Sequence, residues 1–229
     1  MRLLALATDY DGTIAREGRV DEATLAALAR FRRSGRRLVL VTGRELEELL
    51  AIFPEVGLFD RVVAENGALL YRPEDQAVRV LGGAPPWKFV QRLEARGVGP
   101  ISVGRVVVAT WQPHEVTVRQ VIRELGLDLE VVLNKRAVMV LPRGVNKASG
   151  LAAALDELGL SPKAVAGVGD AENDLDFLAS CGLSAAVANA LEPVKAHVDL
   201  VLSAGHGRGV IELVERLESG AAPLPQPGP

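Results

Sequence analysis

Cysteine is almost missing from this chain. Cys181 stands alone among 229 residues, which excludes an internal disulfide framework and fits a reducing compartment. The cytoplasm is therefore the expected location. No apolar run approaches the roughly 20 residues that a membrane span requires, and the short apolar run after Arg2 meets Asp9 too soon for a secretory leader. No excess of basic charge is present either. The formal net charge is −3, and a nucleic-acid binder would usually show a basic patch. Lysine is scarce: only Lys88, Lys135, Lys147, Lys163 and Lys195 occur among the 26 basic residues. No internal repeat is visible. What remains is an ordinary globular balance, with 48% hydrophobic and 24% charged residues. The length suits one large domain or a core with an insertion.

The chain is organised around its first apolar run. Residues 3–8 read as a buried strand that ends in Asp9-Tyr10-Asp11-Gly12-Thr13. In an open α/β sheet, chemistry collects at the carboxyl ends of strands, and residues i and i+2 leave an extended strand on one side. Two like charges about 4 Å apart repel by about 4 kcal/mol at an effective dielectric near 20. A site that gathers carboxylates therefore calls for a cation, a shared proton or a nearby base. A hard dication such as Mg²⁺, held through oxygen, is the natural choice. The alternative is a simple turn, in which Asp and Gly end a strand.

Further signals follow in order. Residues 21–34 have helical apolar spacing, with Asp21 as N-cap and Gly35 as stop. Residues 37–41 form the next strand and end in Thr42-Gly43-Arg44, so a right-handed βαβ unit with parallel strands is expected. That unit puts the Thr42 hydroxyl near Asp9. A helix over 45–53 and a strand over 60–64 lead to Glu65-Asn66-Gly67-Ala68, an Asn-Gly turn. Residues 71–142 change texture: strand, helix, a β-rich run over 102–111, an amphipathic helix over 114–125, and a hairpin around Asn134-Lys135-Arg136. They read as a compact α+β insertion. Trp111, His114, Arg105 and Arg136 in it are expected to be surface polar groups, with Trp111 packed beneath. His197 and His206 are expected at the surface.

Gly144-Val145-Asn146-Lys147 opens a helix to about residue 158. A lysine on the first turn opposes the helix dipole, and beside Asp9 it would hold that carboxylate ionised. A strand over 163–168 ends in Gly169-Asp170-Ala171-Glu172-Asn173-Asp174. Asp170 is the expected metal ligand there. Asp174 completes the ion's shell or serves as a helix-terminal acid. Strands over 183–187 and 199–202, the loop Ala188-Asn189-Ala190 and a helix over 210–217 complete the pattern. Residues 219–229 are Pro/Gly-rich and expected to be disordered.

DYDGT at 9–13, TGR at 42–44, Lys147 and GDAEND at 169–174 resemble, in order, the four motifs of the haloacid dehalogenase (HAD) superfamily of phosphohydrolases. ENGA at 65–68 resembles a stretch of its type IIB branch. The insertion sits where a type IIB (Cof-like) cap would, and its small size resembles that of archaeal-type phosphoglycolate phosphatases. The resemblance covers most of residues 3–190. It implies an α/β fold: a Rossmann-like parallel-sheet core over 1–70 and 143–218, with a small α+β cap over 71–142. It implies Asp9 as nucleophile, Asp11 as general acid/base, and Thr42 and Lys147 on the phosphoryl group. Asp9, Asp11 (through its backbone carbonyl), Asp170 and Asp174 are the implied Mg²⁺ ligands. Gly43, Arg44, Asn66, Asn173 and Asn189 are implied near the substrate.

The expected activity is Mg²⁺-dependent hydrolysis of a small phosphorylated metabolite, phosphoglycolate or a sugar phosphate, through an aspartyl-phosphate. A phosphotransferase or mutase shares these motifs. A regulatory domain of a longer chain is a further alternative, while a signalling receiver would lack the insertion. Neither nucleic acid nor membrane is an expected partner. A monomer or homodimer is expected.

Overall fold

A computed structural model describes residues 3–220 of the chain. The elements in order are β1 (Ala5–Thr8), α1 (Glu22–Arg33), β2 (Arg37–Val41), α2 (Leu46–Ile52), β3 (Arg61–Ala64), β4 (Leu69–Arg72), β5 (Ala77–Val80), α3 (Trp87–Ala95), β6 (Ser102–Val103), β7 (Val108–Trp111), α4 (Glu115–Glu124), β8 (Leu129–Asn134), β9 (Ala137–Pro142), α5 (Lys147–Leu158), β10 (Val165–Gly169), α6 (Leu175–Ser180), β11 (Leu183–Ala186), α7 (Glu192–Lys195), β12 (Leu200–Val201) and α8 (His206–Ser219).

The main sheet runs β12-β11-β10-β1-β2-β3-β4-β5. Its first six strands are mutually parallel, and all but the two-residue edge strand β12 are short apolar runs buried over most of their length. Helices make the crossovers: α1 packs beside α8, and α5 lies over β2, β3 and β4 beside α6. Strand order reverses between β1 and β10. At that switch point the crossovers diverge and leave a crevice at the carboxyl ends. Asp9 follows β1 and Asp170 follows β10, with the Asp9 N–H bonded to the Val168 carbonyl at 3.0 Å.

Local chemistry starts the key helices. The Asp21 carboxylate caps α1 by accepting the Thr24 N–H at 2.7 Å. Asn146 caps α5 by accepting the Ser149 N–H at 2.9 Å, and the Ser149 hydroxyl returns a bond from the Asn146 N–H. Lys147 is thereby fixed on the first turn of α5. That helix sits close to the sheet because two glycines let it. A Cβ on Gly67, at φ +108°, would overlap the Asn146 carbonyl, and one on Gly150 would overlap Val63.

Two expectations shift. Residues 71–80 belong to the main sheet: β4 and β5 form an antiparallel hairpin on its edge. The sequence reading placed them in the insertion because β4 was not anticipated. The separate sheet, β6-β7-β9-β8, begins only at Ser102. It carries α3 and α4 on one face, where Phe89, Leu93, Val118, Val121, Val138 and Val140 form a second apolar core. The C-terminal helix α8 starts at His206, takes in Ser219 and ends at a left-handed Gly220. The rest of the expected disordered tail lies outside the described residues. No helix among the described residues is long and apolar enough to cross a membrane.

Candidate active site

Three carboxylates converge at the switch point. Asp9, Asp170 and Asp174 are buried, and each offers an oxygen within 4.8 Å of the others. Lys147, 1% exposed, bridges two of them, with Nζ 2.5 Å from Asp9 Oδ1 and 2.6 Å from Asp174 Oδ1. The other Asp174 oxygen accepts the backbone N–H groups of Asp170 and Ala171 at 2.8 and 3.0 Å. Asp174 thus spends both oxygens on holding Lys147 and the loop. Asp170 Oδ2 meets the Lys135 ammonium at 2.8 Å.

With all three carboxylates ionised, two ammoniums would leave one surplus negative charge in a buried place. Its electrostatics follow. Burial pushes Asp9 up to about 8: Lys147 opposes the rise, while Asp174 and Asp170 add to it. Asp170 is likewise raised, first by burial. Burial alone would lower Lys147, but the carboxylates of Asp174 and Asp9 outweigh it and the ammonium is held firmly charged. The donor set is all oxygen and carries excess negative charge. A Cβ on Gly12 would overlap the Asp170 carboxylate, so the turn after β1 is cut back to bare backbone where the acids meet. These features fit a hard dication such as Mg²⁺.

Asp11 stands apart from the cluster. Its carboxylate is 40% exposed and is gripped by Arg44, with Nε and Nη2 donating at 2.6 and 2.8 Å. Arg44 also pairs with Glu48. The Asp11 side chain is not a member of the acidic cluster.

Asp9, Asp11, Gly43, Arg44, Asp170 and Asn173 line a cavity of about 570 Å³ between the sheet and the insertion. Lys147 and Asp174 lie behind Asp9 as its buried support. Thr42 does not line the cavity. Its hydroxyl accepts the Arg44 N–H at 3.1 Å and closes the turn after β2. The hydroxyl that reaches the Asp9 carboxylate belongs to Thr13, which donates to Oδ2 at 3.1 Å. Asn66 is fully buried and accepts from the Asn173 amide at 2.9 Å, so it positions Asn173 and does not face the cavity. Asn189 ties loops together, donating to the Gly12 carbonyl at 2.8 Å and accepting the His206 N–H at 2.7 Å.

The far wall comes from the insertion. Side chains alternate across a strand. Val108, Thr110, Val138 and Val140 turn inward, and Val107, Ala109, Trp111, Ala137 and Met139 face the cavity. Trp111 is therefore not packed beneath the insertion but is 53% exposed at the cavity wall. Arg136 also lines the cavity. Arg105 pairs with Glu47 at the edge, and His114 meets the Gly99 carbonyl. His197 is exposed, whereas His206 is half-buried.

Sequence reasoning missed two residues besides Thr13. Lys135 is one. Glu65 is the other: it is fully buried at φ +49°, and its carboxylate accepts the backbone N–H groups of Arg105, Val106 and Val107 at 2.8–2.9 Å. It fastens the insertion to the core. A strained left-handed backbone at a non-glycine residue marks such a position, but that signal exists only in three dimensions.

The family model for haloacid dehalogenase-like hydrolases matches residues 6–81 and 131–214, the two segments that flank most of the insertion. The chain is 35% identical to a phosphoglycolate phosphatase of Methanothermobacter thermautotrophicus over an alignment of 226 residues that covers 93% of this chain and 97% of that protein. Among solved structures, a Thermoplasma acidophilum protein superposes with a TM-score of 0.83 at 18% identity and covers 95% of this chain and 99% of its own. A HAD subclass IIB sugar phosphatase superposes at 0.77, with 18% identity, covering 93% of this chain and 98% of its own.

Proposed function

This chain belongs to the haloacid dehalogenase-like hydrolase family and is a phosphatase of it, and we propose that it hydrolyses phosphoglycolate, with Mg²⁺, through an aspartyl-phosphate on Asp9. The observation that carries the reading is Asp9 at the cavity edge, backed by the buried Lys147 at 2.5 Å, with Asp11 two residues on. Support for the substrate comes from the 35% identical relative named for that activity. The size of the chain and of its cap agree with it.

Phosphoryl transfer needs positioning and charge neutralisation more than elaborate chemistry. A carboxylate oxygen of Asp9 attacks phosphorus in line. The bond to the leaving alkoxide breaks as the new oxygen–phosphorus bond forms. Asp11, which takes up a proton when the Arg44 fork loosens, gives it to the alkoxide and then takes one from the water that attacks the aspartyl-phosphate, releasing phosphate and restoring Asp9. Arg44 holds Asp11 at the cavity. Lys147 neutralises charge beside Asp9, and the Thr13 hydroxyl fixes its other oxygen. Bound Mg²⁺, held by Asp9 and Asp170 with Asp174 behind them, would act as a Lewis acid on the phosphoryl group. Gly43 and Asn173 line the route to phosphorus, while Thr42, Asn66 and Asn189 support it from behind. The single thiol, Cys181, is buried and unpaired, which supports a reducing, cytoplasmic setting.

The test is phosphate release from phosphoglycolate, hexose phosphates and a chromogenic ester, with and without Mg²⁺, for wild type and Asp9→Asn. Mg²⁺-dependent turnover that favours phosphoglycolate and vanishes in Asp9→Asn is the expected result. Preference for a hexose phosphate would reassign the substrate. Transfer of the phosphoryl group to a sugar in place of water would make the protein a transferase.

A further inference from the structure

Lys135 occupies the tip of the β8–β9 hairpin, a two-residue turn of Lys135 and Arg136. Its φ is +54°, a left-handed position that glycine or asparagine fills at less cost. Its backbone N–H is docked on Glu172 Oε2 at 3.1 Å, so the tip is anchored to the core independently of the lysine side chain. From there the side chain crosses the cavity to Asp170. A Cβ on Gly12 would stop 3.1 Å from Nζ, which places the ammonium directly against the turn that carries Asp9 and Asp11. Asp170 is its one acidic side-chain partner among the described residues, so whatever claims the Asp170 charge releases Lys135 for a second anion.

The other cations at the cavity are committed or peripheral. Arg44 is spent on Asp11 and Glu48, and Lys147 on Asp9 and Asp174. Arg136 lines the cavity but makes no ion pair among the described residues. We infer that Lys135 is a specificity-determining residue of the cap: its ammonium binds the carboxylate of a short phosphorylated acid and selects that acid over a neutral ester of the same size. The inference rests on the phosphatase reading above. It also gives a reason for a lysine to stand where the backbone favours glycine.

The test compares phosphoglycolate with ethyl phosphate, which has the same length but no carboxylate, using wild type, Lys135→Met and Lys135→Gly. Both variants should lower kcat/KM for phosphoglycolate by about 10- to 100-fold, the range for one charge-assisted hydrogen bond, mainly through KM. The loss on ethyl phosphate should be much smaller than that on phosphoglycolate. Lys135→Gly should melt higher than Lys135→Met, because both lose the ammonium but only glycine relieves the left-handed position. Equal losses on both esters would place the ammonium on the phosphoryl group and overturn the inference, as would no loss on either. Wild type that cleaves both esters equally well would overturn it while leaving the phosphatase standing. Wild type that cleaves neither but does cleave a hexose phosphate would overturn both the inference and phosphoglycolate as the substrate.

Discussion

Asp174 holds Lys147 at 2.6 Å with one carboxylate oxygen while the other oxygen closes the turn after β10. One side chain thereby shapes the loop that carries Asp170 and pairs the buried lysine. Removing it leaves an ammonium with half its compensation and two N–H groups without an acceptor. Asp174→Ala should destabilise the protein by about 3–5 kcal/mol, read by urea denaturation. Asp174→Asn keeps an acceptor for the backbone and should cost clearly less. If both variants unfold like wild type, Asp174 does not carry this load.

Glu65 makes a comparable bond set between core and cap. Glu65→Ala should cost about 3 kcal/mol, since three N–H groups lose a charged acceptor. The loop at 104–107 should then become the first site cut by a dilute protease. A cleavage pattern identical to wild type would mean that the cap is held by other contacts.

Proton and dication should compete at Asp9. Its value in the folded chain, about 8, lies above the ordinary 3.8. The folded state therefore holds a proton that the unfolded state has lost. Stability from this group is complete below the ordinary value and drains away as pH rises through about 8. In EDTA, the melting temperature of wild type should fall across that window more steeply than that of Asp9→Asn. Mg²⁺ should restore it most at the upper end. Parallel slopes for the two proteins would refute the assignment.

Arg44→Lys keeps a positive charge but loses the planar fork that fixes Asp11. An acid/base displaced by a fraction of an ångström is a poor one, so kcat should drop by about 10²-fold with KM little changed. A pure KM effect would instead make Arg44 a substrate contact.

The catalytic strand ends were legible because each is a short apolar run closed by a charged or hydroxyl-bearing string, and the parallel order followed from the intervening helices. Asp9, Lys147 and Asp170 come together as that topology requires. Strand order puts Thr42 at the same sheet edge as Asp9, where its hydroxyl accepts the Arg44 N–H, while Thr13, four residues from Asp9, is the one that donates to the Asp9 carboxylate. The six-residue α6 is too short for a period to show, and the four-residue β4 went unread because the chain's texture shifts there from parallel core to antiparallel edge. Glu65 and Lys135 act on partners 40 and 35 residues away across a domain boundary. Neither pairing leaves a local pattern.

The switch point has a consequence for how the protein is made. β1, which carries the nucleophile, lies between β2 and β10. On the ribosome β2 arrives early, but β10 follows only after the whole cap has been synthesised. Throughout that interval the left flank of β1 is an open edge, a template for pairing with another nascent chain. Translation speed through the cap therefore sets how long the most reactive strand of the molecule stays unguarded.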